Sequence, residues 1–329
     1  MQYNEVFINY NSTMIKIDYS VLQPEAEMYW KWYNNNPIPP VNAAIAKDGA
    51  GSEIRTPLMH FGTVLPVYLA VVRYLRAAKL KRGMKLLEMG CGTGRVLSYV
   101  ASLFPELEVY GVDYSKAVIE YAKKNYKKFG VHYKTADTTK DTFFKDGMFD
   151  FVMSSHVLEH VTIEGGHEFI KETHRLLKPG GHAFIGTPER RMAQDMYWKN
   201  PDENPKRRLT PPHEHEYTLP EIKKLGEEVF PKGKVQVDQL NNDVFRKIFH
   251  DSINKLSPEK GAINKLRNSL YTTFRDYSPK PVFDTVVKVG LDTQLKSRGL
   301  SYKDILFANK VELEKSPSVP DNLLLVCQK

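Results

Sequence analysis

The sequence is short of several things. Cysteine occurs only twice, as Cys91 and Cys327. Two widely separated thiols exclude a disulfide framework, and neither has the spacing of a zinc knuckle. Such usage fits a reducing compartment. Long apolar runs are missing too: the longest, near Val64–Val72, is broken by Arg73 and falls far short of a bilayer span. The N-terminal residues lack the basic-then-apolar pattern of a secretory signal, and the expected location is the cytoplasm. Internal repeats, low-complexity tracts and basic runs interleaved with aromatics are also missing. The last absence argues against a known RNA-binding module.

What is present is ordinary globular composition. The chain has 329 residues, 41% of them hydrophobic and 26% charged, enough for a large core. The formal net charge is +8. Residues 241–329 hold 15 Lys/Arg against 10 Asp/Glu, so much of the excess lies there. A mild, dispersed excess of this kind reads as solvated surface.

The organising stretch is Leu86-Leu87-Glu88-Met89-Gly90-Cys91-Gly92-Thr93-Gly94-Arg95. An apolar run enters three glycines at alternate positions, and a helical pattern follows from Val96 to Leu103. This reads as a buried strand, a tight turn and a helix start. The turn offers free N–H groups beside a helix N-terminus, where nucleotide-like ligands sit in doubly wound sheets. The alternative is a strand–turn–helix without a ligand. From Lys85 to Pro188, strand and helix patterns alternate at βα spacing, which predicts a parallel sheet. The second strand, Val109–Asp113, ends in an acid 21 positions beyond Gly92. That spacing puts a carboxylate at the neighbouring strand tip, within reach of two ribose hydroxyls. Asp113 is equally placed to cap the helix from Lys116, a role Ser115 also fits. The third strand is Val131–Thr135, the fourth Phe149–Ser154 and the fifth His182–Thr187. Leu-Lys-Pro-Gly-Gly (177–181) supplies the helix stop and reversal before the fifth.

These elements, over roughly residues 84–190, resemble the class I S-adenosylmethionine (SAM)-dependent methyltransferases, in particular ubiquinone-biosynthesis-type O-methyltransferases. The resemblance implies an α/β, Rossmann-like, seven-stranded doubly wound sheet whose last strand is antiparallel. It implies SAM as cofactor and methyl transfer, with a small-molecule hydroxyl as the leading acceptor. Glu88 would lie near the methionine end of SAM, and Asp137, with its neighbour Thr138, near the adenine. Ser155 matches a frequent cofactor contact. The cofactor set is Glu88, Gly90, Gly92, Gly94, Asp113, Tyr114, Asp137, Thr138 and Ser155, although Asp137 also reads as a turn acid.

Outside the matched stretch, Met1–Asp18 reads as an extended arm, Gln23–Tyr33 as an aromatic helix and Thr63–Ala78 as an amphipathic helix. Val235–Leu240 and Leu323–Cys327 read as the sixth and seventh strands. Helical patterns around Val244–Leu256, Ala262–Tyr271 and Val282–Lys296 separate them. The expected organisation is an N-terminal helical cap (1–80), a SAM-binding core (81–240), a helical insertion (241–319) completing the cap, and the final core strand (320–329). Glu189–Arg208 reads as a polar loop.

Two histidine-rich stretches stand apart. His156, Glu159 and His160 fall at i, i+3 and i+4, one face of a helix. His213-Glu214-His215-Glu216 precedes a helix from Leu219. His156, His160, His213 and His215 are the catalytic candidates, since an imidazole titrating near neutrality can take a hydroxyl proton. A divalent metal on His156, Glu159, His160 and His213 is the alternative. Related RNA 2′-O-methyltransferases and ubiquinone O-methyltransferases carry Glu-x-x-Glu-His here with metal binding, whereas this chain has His-x-x-Glu-His. The third reading is structural, with Glu and His holding loops together. Two rival functions remain: an RNA 2′-O-methyltransferase and a non-catalytic SAM-binding protein. Neither oligomeric state nor acceptor identity is encoded in these motifs.

Overall fold

The computed structural model describes residues 22–41, 60–190, 213–245, 289, 292, 293, 295–312 and 320–329, together with the backbone of 5–10 and 13–18. The order is β1 (Glu5–Tyr10), β2 (Thr13–Asp18), α1 (Gln23–Asn35), a π-helical turn (His60–Val64) running into α2 (Leu65–Ala77), and β3 (Met84–Met89). Next come α3 (Arg95–Leu103), β4 (Leu107–Asp113), α4 (Lys116–Tyr126), β5 (His132–Thr135), β6 (Phe149–Ser155) and α5 (Ile163–Leu176). The chain continues through β7 (Leu177–Pro188), α6 (Leu219–Glu227), β8 (Val235–Asn241), α7 (Tyr302–Phe307), β9 (Lys310–Glu312) and β10 (Asn322–Gln328).

Eight strands form one sheet in the order β5-β4-β3-β6-β7-β10-β8-β9. β3 pairs in parallel with β4 and β6, β4 with β5, and β6 with β7. β10 runs antiparallel to both its neighbours, β7 and β8. The expected α/β doubly wound sheet with an antiparallel last strand is therefore present, plus one additional short strand, β9, on the β8 edge. Strand order reverses between β3 and β6, the position at which open α/β sheets bind their ligands.

The central strands are apolar because both faces are covered. Leu323, Leu324, Leu325 and Cys327 of β10 are all buried, alternating between two cores. One core lies under α2 and α3 and holds Leu65, Val71, Leu97 and Phe184. The other lies under α5 and α6 and holds Phe169, Ile170, Ile222 and Val237. Each such side chain contributes roughly 1.5–3 kcal/mol by leaving water.

Three expectations change. The N-terminal segment read as an extended arm is a hairpin, β1 paired antiparallel with β2. The segment after β6 is not an α-helix: His156 has φ +57° and Leu158–His160 is a single 3₁₀ turn, α5 starting only at Ile163. An α-helix cannot pass through a left-handed residue. The helix read from Thr63 starts later, because its first turn is π-helical. The helical patterns at 262–271, and all but the first residues of that at 244–256, lie outside the described residues, as does most of 189–208. Among the described residues, no helix is long and apolar enough to cross a membrane.

Leu325→Ala is expected to destabilise the protein by about 2–5 kcal/mol, as for other fully buried leucines between two layers. Chemical denaturation followed by far-UV circular dichroism measures this.

Candidate functional site

The glycine turn is tied to the tip of β4. The N–H groups of Gly90 and Cys91 both donate to the Val112 carbonyl at 2.8 Å. The Gly92 N–H donates to Asp113 Oδ2 and the Ser115 N–H to Asp113 Oδ1, each at 3.0 Å. Gly90 has φ +80°, and a Cβ there would lie 2.2 Å from a Val157 methyl. Only glycine meets both demands. Ser115 caps α4, accepting from the Val118 N–H. Asp113 is thus the acid of the strand tip, and Ser115 is the helix cap.

Glu88 is fully buried at the end of β3. The Tyr68 hydroxyl, reaching down from α2, donates to Glu88 Oε1 at 2.5 Å. Glu88 Oε2 has no hydrogen-bond partner. Burial pushes the carboxyl up to about 8, offset in part by the Tyr68 hydrogen bond and reinforced by the nearby Asp113. A buried carboxylate oxygen without a hydrogen-bond partner, beside a second carboxylate at the neighbouring strand tip, fits a group bearing a cation at one end and a diol at the other. By that test these residues suit SAM.

The remaining cofactor candidates are placed differently. Ser155 is buried, its hydroxyl 3.4 Å from the Val64 carbonyl of the π-turn. Asp137 is engaged locally: Thr139 donates its N–H and hydroxyl, and Lys140 pairs at 2.9 Å. Burial raises its pKa, but Lys140 and Thr139 more than offset this and hold the carboxyl below its ordinary value. Thr138 is buried, whereas Tyr114 is 71% exposed beside Asp113.

The histidines gather around Glu159, which is fully buried in the 3₁₀ turn. His156 Nδ1 lies 3.2 Å and His160 Nε2 4.0 Å from Glu159 Oε1, and Thr187 Oγ1 donates to Glu159 Oε2 at 3.1 Å. Burial raises the Glu159 pKa, but His156, His213 and His160 overcome it and bring the carboxyl down to about 2. The second stretch is stapled to the first, because the N–H groups of Glu214 and His215 both donate to the Glu159 carbonyl. His213 thereby stacks edge-on against His160, ring centres 4.8 Å apart, and its Nδ1 lies 2.6 Å from Oε1 of the buried Glu216. One ligand atom each from Glu159, His160 and His213 falls within 4.8 Å of the others. His215 is not part of this group. It packs against Tyr217 and lies 3.1 Å from Arg190, and burial followed by Arg190 lowers its pKa.

Four contributors were not singled out in the sequence: Tyr68, Thr187, Glu216 and Arg95. Glu216 stands three residues from His213 within a stretch already flagged. Tyr68 and Thr187 had no local signal, being an aromatic in an amphipathic helix and a threonine ending a strand. Arg95 follows the last glycine and is 1% exposed. Its guanidinium lies 4.9 Å from both the Trp32 and Tyr33 rings and donates to the Asn36 carbonyl at 2.6 Å. It fastens α1 beside the glycine turn.

Residues 87–185 match the methyltransferase domain family. A ubiquinone biosynthesis O-methyltransferase of Chelativorans sp. is 29% identical over 182 residues, 53% of this chain and 64% of that protein. One from Brucella anthropi is 32% identical over 135 residues, 38% of this chain and 53% of that protein. The chain therefore spans less than two thirds of the length of these curated relatives. Among solved structures, a SAM-dependent methyltransferase of Thermotoga maritima superposes with TM-score 0.50 at 15% identity, covering 87% of this chain and 99% of that one. A phosphoethanolamine N-methyltransferase 2 of Haemonchus contortus, in complex with phosphomonomethylethanolamine and S-adenosylhomocysteine, gives TM-score 0.50 at 16% identity, covering 89% and 62%. At such identities the structures speak for the fold.

Arg95→Ala is expected to cost about 2–4 kcal/mol, since it removes a desolvated cation–π contact and a charged hydrogen bond. Limited proteolysis should cut faster within residues 23–41, and thermal melting gives the loss.

Proposed function

We propose, from the premise that the core of this chain is a class I SAM-dependent methyltransferase domain, that it methylates a hydroxyl oxygen of a small molecule. SAM supplies an electrophilic methyl group on a sulfonium, so the protein's task is in-line positioning and removal of the acceptor proton. Asp113 is assigned to the ribose hydroxyls and Glu88 to the methionine end. Gly90, Gly92 and Gly94 let the chain pass close to the donor. Tyr114, Asp137 and Thr138 are assigned to the adenine side and Ser155 to the crevice floor.

The observation that carries the hydroxyl acceptor is the imidazole group around an ionised Glu159 at the tip of β6. Within it, His213 has the geometry of a general base. A proton on Nδ1, donated to Glu216, leaves Nε2 with a free lone pair. His156, bonded to Gly186 through its backbone N–H and facing the Thr63 carbonyl at 3.4 Å through Nε2, is assigned to orienting the acceptor. His160 lies edge-on to His213. His215, held by Arg190 and Tyr217, supports the loop. The ubiquinone-pathway O-methyltransferases among the relatives favour a hydroxyl acceptor as well.

A second reading rests on the 4.8 Å convergence of Glu159, His160 and His213. A divalent ion there would act as a Lewis acid on the acceptor oxygen, with Glu216 as the outer partner that fixes His213.

Asp113→Ala is expected to abolish SAM binding by calorimetry, and unchanged affinity would remove the ribose assignment. A tritium-transfer screen should find label on phenolic or aliphatic hydroxyl compounds. Label on amines only, or on RNA only, would overturn the acceptor class, and stoichiometric metal in the purified protein would select the second reading.

A further inference from the structure

Glu88 and Asp113 sit on adjacent strand tips, Glu88 paired with Gly111 two residues before Asp113, yet their surroundings differ. Asp113 takes two backbone N–H groups, which favour its ionised form. Glu88 is fully buried, receives one hydroxyl and has an oxygen with nothing to bond. The titratable groups facing it are Tyr68 from α2, Asp113 from β4, Cys91 from the turn and Tyr133 from β5. β6 contributes Met153 alongside. None of these side chains is cationic. Where two carboxyls share a dry site and only one has adequate donors, the other keeps its proton.

We infer that the free protein holds Glu88 as a neutral acid and exchanges that proton for the donor's α-ammonium group, with Tyr68 as the residue that positions the carboxylate. This rests on the donor assignment made above. In the free state the proton sits on Glu88 Oε2 while Tyr68 donates to Oε1. When an alkylammonium approaches Oε2, the O–H bond breaks and its electron pair stays on the carboxylate. The proton leaves to buffer, and an N–H···O⁻ bond replaces it. Tyr68 remains a donor throughout, because burial and the adjoining Glu88 hold its hydroxyl well above the ordinary tyrosine range. Asp113, whose two oxygens each accept a backbone N–H, has no such exchange to make. The two acids therefore divide the donor: the nucleoside half binds without proton exchange and the amino-acid half with it.

The consequence is a pH-dependent affinity whose sign is fixed. The protonated carboxyl competes with the ammonium, so affinity rises with pH and levels off above about 8, where Glu88 is ionised without help.

The test is calorimetry on the full chain with S-adenosylhomocysteine at pH 7, in buffers of differing ionisation enthalpy. Close to one proton should be released per molecule bound. Affinity should gain about tenfold from pH 6 to pH 7, the slope one released proton demands. 5′-Methylthioadenosine, which keeps the nucleoside but lacks the amino acid, should bind with buffer-independent heat. Tyr68→Phe should weaken S-adenosylhomocysteine roughly tenfold to a hundredfold, the worth of one charged hydrogen bond, and move the plateau to higher pH. Its affinity for methylthioadenosine should be unchanged, which also reports an intact fold. Glu88→Gln should abolish the proton release. Buffer-independent heat for wild-type S-adenosylhomocysteine binding, or equal proton release with methylthioadenosine, would overturn the exchange while leaving the donor assignment standing. No binding of either nucleoside at any pH would remove both.

Discussion

The stitching of the glycine turn to β4 is the constraint on which everything else rests. One carbonyl, Val112, and one carboxylate, Asp113, absorb four N–H groups from the turn and the next helix start. These bonds turn a flexible sequence into a fixed shelf at the point where strand order reverses. Val157 closes the shelf from the β6 side, filling the space a Gly90 side chain would need. The loop that carries the histidines is thereby packed against the glycine turn, so the two halves share a wall.

Two buried acids flank this wall, and they are accommodated by opposite means. Glu159 is encircled by imidazoles and stays ionised. Glu88 is offered one hydroxyl donor, the Asp113 carboxylate and no cation, surroundings in which, on the exchange inferred above, it keeps its proton. Burial alone penalises both charges equally; the partners decide the outcome. This division matches the tasks assigned above, in which a permanent anion organises bases on the acceptor side and a latent anion awaits a cation on the donor side.

Much of this was legible in the sequence where the physics is local. The strand–turn–helix at Leu86–Leu103, the acid at Asp113 and the reversal at Pro179-Gly180-Gly181 each encode their own geometry, and the sheet followed from them. The antiparallel last strand came from family resemblance. The short strand β9 escaped because three residues carry no periodicity. His156 departs from the helical pattern around it. Its neighbours had helical spacing, but a left-handed residue, held by the Gly186 carbonyl, redirected the chain while still converging the same side chains. Tyr68 and Thr187 were invisible as site residues because their roles depend on contacts over 20 and 28 positions with partners that sequence spacing does not announce, whereas Glu216, three positions from His213, was within reach of the spacing argument.

The π-helical turn at His60–Val64 also has a bearing on how the molecule is made. Carbonyls there are taken up from outside: Phe61 by Asn309, Thr63 by Asn322, Val64 by Ser155. A ribosome releases Ser155 long before Asn309 and Asn322. During synthesis every residue of the glycine turn and of β4 is therefore present before the side chain that holds the carbonyl facing His156. The carbonyl that His156 Nε2 faces is fastened only once β10 lies between β7 and β8 and Asn322 reaches it.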